Sequence, residues 1–228
     1  MSFIPALDIP VTCDKKIRIS AVPGLELEFE TPCTLQSQIL RATEGHTGQL
    51  LLESTIETEE KESLVYRGKL DGRAVVVKST FAAYECDQAS RLREEVRSYS
   101  EMKRLQGIEI PRFYNFVKGL TKPKTRRMRI REPHVMVTCI IIEDCGKAVG
   151  SFGCLNRTER MSVLETLGRL HKKGFIHDNP IASHVVGTSE NYRLISLRRV
   201  GRHICHWNGD YSDWDPKELE HESNPICY

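Results

Sequence analysis

Residues 170–200 read LHKKGFIHDNPIASHVVGTSENYRLISLRRV, and the fold turns on what this stretch is. It runs from the end of a helical pattern through a short strand at 192–195, and it gathers His177, Asp178, Asn179 and His184 within eight positions. Taken singly, these residues have ordinary structural readings. His177 reads as a packing residue that holds a loop, and His184 as a hydrogen-bonded core histidine. Imidazole also suits zinc or copper better than magnesium.

Upstream, Met161, Leu164, Leu167 and Leu170 recur at helical spacing, and a helix is expected to start at Thr158 with Glu159 close behind. Before it, 146–150 reads as a loop, and 134–143, HVMVTCIIIE, as an apolar β-branched strand. A further strand is expected over 111–117. The region 87–105 carries the strongest helical pattern, with Leu92, Val96, Tyr99 and Met102 among charges. Asp71-Gly72 is a hairpin signal joining strands 64–70 and 73–78. A strand candidate at 49–52 opens the core. Residues 16–20 and 25–29 alternate with period two and read as short strands, punctuated by Pro5, Pro10, Pro23 and Pro32. The expected organisation is an N-terminal extension over 1–45, a first lobe over 46–145 and a second over 146–228.

The chain has 228 residues, 39% hydrophobic and 28% charged, an ordinary globular composition long enough to bury a core. A net charge of +2 gives no global reason to expect nucleic acid or a membrane surface as partner. No apolar run reaches the roughly 18 residues of a membrane span. The first residues carry no basic and apolar leader pattern, so a cytoplasmic or nuclear location is expected. The 8 cysteines form no CxxC pair and read as reduced thiols. The run 120–131, LTKPKTRRMRIR, is locally basic, but no aromatic residue is interleaved for base stacking, so a solvated hairpin loop is its simpler reading. His203, Cys205, His206, His221 and Cys227 could ligate zinc, although their spacing is not that of a structural zinc site.

The order of these elements resembles a protein kinase, and the phrases Gln106-Gly107, Ile110-Pro111-Arg112-Phe113-Tyr114 and Ile141-Ile142-Glu143-Asp144-Cys145-Gly146 look like those of the compact kinase-like proteins common in fungi. The resemblance covers about residues 49–203. It implies an α+β, kinase-like fold: a small antiparallel-sheet lobe, then a shortened, mainly helical lobe. Lys78 would stand where such proteins carry the lysine that contacts the α- and β-phosphates, with Glu95 as its helix partner and Glu94 as fallback. Glu143 to Cys145 would form the hinge that meets an adenine edge, behind Ile142 as gatekeeper.

Against that pattern the chemistry departs. The loop that should be glycine-rich reads STIETEEKES over 54–63, with no glycine and four glutamates. Carboxylates repel a triphosphate, each unit pair at 4 Å costing about 1 kcal/mol even in water. Asn179 stands at the catalytic-base position, beside His177 and Asp178, and an amide cannot take up the substrate proton. Ser196 and His184 stand at the two magnesium-holding positions, where hard anionic oxygens are wanted. Residues 199–228 are short for a substrate-binding lobe, with Trp207 and Trp214 as expected anchors. The resemblance therefore implies a pseudokinase acting as a binding or scaffold module for a protein partner, with no certain cofactor and with Lys78, Glu95 and the hinge left to organise a residual nucleotide cleft. The alternatives are a divergent kinase using ATP and magnesium with Asp178 as base, and a nuclear or nucleic-acid partner working through the 120–131 loop.

Overall fold

The computed structural model describes residues 16–21, 33–36, 48–57, 63–82, 87–121, 135–188 and 191–204. They form a mixed α+β protein of two compact units. One draws on the chain up to Ser100 and on Phe113–Ile142; the other on Glu101–Arg112 and the chain from Glu143. The division thus falls after Ile142, and a short internal segment belongs with the second unit.

The first unit is built on strands β1 (Lys16–Ala21), β2 (Cys33–Gln36), β3 (Gly48–Ile56), β4 (Leu64–Leu70), β5 (Arg73–Ala82), β6 (Phe113–Thr121) and β7 (Val135–Glu143). They close in the order β1-β2-β6-β7-β5-β4-β3. The β4–β5 hairpin turns on Asp71 and Gly72, whose φ values of 49° and 81° give the double left-handed turn that matches strand twist. The closure is made by β1, which pairs antiparallel with β2 and parallel with β3. The sequence pattern gave β1 but not β2. Residues 25–29, expected as a strand, lie outside the described residues, as do the basic run from 122 onward, residues 58–62 of the expected acidic loop, whose first residues 54–56 belong to β3, and the tail with its candidate zinc ligands apart from His203.

Alternation along the strands creates two cores. Leu50, Leu52, Tyr66, Val75, Val77, Val117, Val137, Cys139 and Ile141 pack together on one face. Phe116 and Ile140, one residue out of phase, pack with Leu92 and Val96 of helix α1 (Asp87–Glu101) on the other. Strand β7 is buried on both faces, which is why its sequence is nearly continuous apolar residues. The α-helix stops at Glu101 rather than running to 105. A 3-10 turn, Lys103–Leu105, follows, and the Leu105 carbonyl accepts from the amides of Ile108, Glu109 and Ile110. Gly107, at φ 80°, permits that turn.

The second unit centres on α2 (Arg157–Lys172), which packs on β8 (Phe175–His177) and β10 (Arg193–Leu194). The helix begins one residue before the expected Thr158. Asn156 is its N-cap, accepting from the Glu159 amide at 3.0 Å while the Glu159 carboxylate accepts from the Asn156 amide at 2.9 Å. Buried Val163, Leu164, Leu167 and Leu170 form its inner stripe. Two small antiparallel pairs complete the unit: β8 with β11 (Val200–Arg202), and β9 (Val185–Val186) with β10.

One pH dependence follows from the end of α2. His171 is buried there, with its ring 5.4 Å from that of His203 in an edge-on contact. Burial, helped by the charge of His203, lowers the His171 pKa from 6.5 to about 4. The unfolded chain therefore takes up a proton between those values that the folded chain refuses. Stability is whole above pH 6.5 and falls as pH drops towards 4. Allowing for solvent near the ring, the loss is about 2 kcal/mol. Urea unfolding of wild type and His171→Gln at several pH values between 7 and 5 checks this: the variant's stability should decline less steeply over that window.

Candidate functional site

In the first unit, sequence alternation sets Lys78 beside the helix. Val75 and Val77 point into the strand core, so Lys78 stands on the opposite face, the one α1 covers. Glu95 lies on the inward stripe of α1 with Leu92, Val96 and Tyr99, and is buried; its neighbour Glu94 is exposed. Lys78 Nζ meets Glu95 Oε2 at 3.4 Å. The Lys78 side chain is 16% exposed and that of Glu95 4%, so the pair is nearly out of water.

In the second unit the expected hinge residues are tied into structure. The Glu143 carboxylate accepts from the Arg112 amide at 3.0 Å and pairs with the Arg193 guanidinium at 2.7 Å. The Glu143 amide donates to the Arg112 carbonyl at 2.9 Å. Burial alone would raise the Glu143 pKa, but the hydrogen bonds from Arg193 and Arg112 and their two positive charges outweigh it and hold the carboxyl below its usual range. Arg193 also reaches the Cys145 sulfur at 3.0 Å. Burial pushes the Cys145 thiol up, with Glu143 and Asp144 adding to the rise and Arg193 opposing it. Arg193 was legible in the sequence only as a strand residue. Its link to Glu143 joins positions fifty residues apart, and nothing local signals it.

The loop between β8 and β9 is organised by four hydrogen bonds. His177 Nε2 donates to the Ile195 carbonyl at 2.9 Å, and Ile195 N–H to the His184 carbonyl at 2.9 Å. His184 Nδ1 donates to the Asn179 carbonyl at 2.8 Å, and Asn179 N–H to His177 Nδ1 at 3.3 Å. Carbonyls only accept, so the proton sits on Nε2 of His177 and on Nδ1 of His184. His177 is buried, and burial lowers its pKa, against its bond to Ile195. Asp178 takes the other side of the strand: it is exposed, and its amide donates to the Arg199 carbonyl. Asn179 enters the ring through its backbone alone.

Ser196 follows Ile195 with φ 62° and ψ 46°, a left-handed conformation that costs a serine about 1 kcal/mol or more. It is buried and opens the 3-10 turn Leu197–Arg199. Among the described residues no cluster of three or more His, Cys, Asp or Glu side chains is arranged to hold a metal ion. No helix among them is long and apolar enough to cross a membrane.

Comparison with protein-family models finds no matching family. Comparison with curated proteins finds no match either. Function must therefore be argued from these residues. The structure brings together Lys78 with Glu95, Glu143 with Cys145, and His177 with Asn179, His184 and the residue preceding Ser196. An ion pair that the sequence did not signal, between buried Glu109 and half-exposed Arg169 at 3.0 Å, lies in the second unit.

Proposed function

We propose that this chain is a kinase-like pseudokinase, a binding module that does not transfer phosphate. The observation that carries the reading is the fate of the groups at the positions the kinase resemblance would make catalytic. Asn179 is an amide and uses only its backbone; His177 spends both ring nitrogens on the loop; Ser196 is a neutral hydroxyl on a strained backbone. The Glu143 carboxylate and amide are engaged by Arg112 and Arg193. Against these losses, the lysine–glutamate pair between β5 and α1 is kept. Such a pair orders a strand and a helix without any reaction, which suits a scaffold. Protein is the expected partner class.

The competing reading is an active, divergent kinase, and Asp178 is the residue that favours it: it is exposed, and its charge acts on the neighbouring His177. An exposed carboxylate aimed at solvent is poorly placed as a base, because a base must reach the proton it removes. A phosphotransfer assay with radiolabelled ATP and either Mg²⁺ or Mn²⁺ separates the two. The proposal expects no incorporation into the chain or into generic protein substrates. Metal-dependent incorporation that disappears in Asp178→Ala and in Lys78→Ala would establish the kinase.

A further inference from the structure

The ring of four hydrogen bonds fixes more than the path of the loop. It decides which imidazole nitrogen is left over. His177 has none: Nε2–H is donated to Ile195 and Nδ1 accepts from Asn179. His184 gives its Nδ1 proton to the Asn179 carbonyl. A neutral imidazole protonated at Nδ1 carries its lone pair at Nε2. That nitrogen has no hydrogen-bond partner among the described residues, and it is not among their sealed, unpaired polar atoms. In water a free histidine favours the other tautomer, so the loop holds His184 against its own preference.

We propose that His184 is the proton-accepting residue of this loop, presenting its Nε2 lone pair to the O–H of a hydroxyl-bearing ligand. A base oriented through its second nitrogen is the arrangement that fixes both tautomer and ring direction. Asn179 supplies the orientation through its carbonyl, so its amide side chain plays no part. Asp178 is exposed and takes none of the ring's hydrogen bonds, although its charge acts on His177. The inference stands on these hydrogen bonds and does not rest on the pseudokinase reading: a scaffold can bind a hydroxyl ligand here without transferring phosphate.

Imidazole ¹⁵N spectra of the full-length chain at pH 8, assigned with His184→Gln, read the tautomer directly. His184 should show a protonated, pyrrole-type Nδ1 and an unprotonated, pyridine-type Nε2, and Asn179→Ala should leave both signals in place. His177 should show the reverse pattern. A pyrrole-type Nε2 at His184 would overturn the proposal.

Diethyl pyrocarbonate tests whether the lone pair can be reached. The Nε2 lone pair bonds to a carbonyl carbon, the anhydride C–O bond breaks, monoethyl carbonate leaves, and the Nδ1 proton passes to water. Peptide mapping should find His184 carbethoxylated in the folded chain while His177 and His171 stay unmodified until urea is added. Modification of His177 before His184, or protection of His184 until unfolding, would contradict the inference whatever the outcome of the phosphotransfer assay.

Discussion

Replacing Glu95 with glutamine is expected to lower the unfolding free energy by about 3 kcal/mol, because it leaves the Lys78 ammonium charged in a site with little water. The geometry supports that size. Glu95 sits on the buried stripe of α1, and Lys78 is only 16% exposed. A surface pair would contribute less than about 1 kcal/mol. Lys78 can still lengthen its reach towards solvent, which keeps the figure at the low end for a broken buried pair. Lys78→Met should cost at least as much as Glu95→Gln, since it strands the Glu95 carboxylate, which is only 4% exposed, and Glu95→Gln combined with Lys78→Met should recover part of the loss. Urea denaturation of the four proteins gives the coupling energy. A cost near zero for Glu95→Gln would place the pair in solvent and remove its support for the proposed kinase-like reading.

Gly187→Ala is expected to be comparably damaging, at about 4 kcal/mol, for a backbone reason. Gly187 follows β9 with φ at +124°, where L residues suffer strain of roughly 1–3 kcal/mol. A Cβ there would also sit 2.2 Å from the Asn191 carbonyl oxygen. That neighbour is backbone, not a side chain that can swing away, so overpacking adds a further cost on the order of 1–3 kcal/mol. The damage should concentrate in the β9–β10 pair, whose other end carries His184, just before Val185, and Ile195-Ser196, just after Leu194. Thermal unfolding measures the total, and hydrogen exchange at the Leu194 amide, bonded to the Glu109 carbonyl at 2.8 Å, reports the local effect. An alanine variant as stable as wild type would mean that this hairpin takes another path.

What the sequence made legible were the features whose cause is local. Asp71-Gly72 dictates its own turn, the Val75-Val76-Val77 run beside it declares a strand, and Leu92, Val96 and Tyr99 declare a helix face by spacing. The Lys78–Glu95 contact was legible only through the resemblance, which set a strand lysine against a glutamate of the following helix. What was hidden depends on partners distant in sequence or on backbone atoms. Strand β2 is four residues long and is a strand only because β1 and β6 supply its hydrogen bonds. Asn156 caps α2 in place of the expected start at Thr158, since the reciprocal bonds with Glu159 decide the boundary. Arg193 reaches Glu143 across the fold. The loop ring uses the carbonyls of Asn179, His184 and Ile195, which carry no mark in a sequence, so the histidine positions could be seen but not their tautomers.

The most direct test of the central claim, a kinase-like chain without phosphotransfer, is a thermal-shift titration of the purified protein with ATP, alone and with Mg²⁺ or Mn²⁺. A ligand that binds only the folded state adds RT ln(1 + [L]/Kd), about 2.7 kcal/mol at a hundredfold excess over Kd. The account predicts no metal-dependent shift up to millimolar ATP, because neutral Ser196 and the imidazole of His184 offer magnesium no anionic oxygen. A shift that requires the metal and saturates with ATP would contradict it.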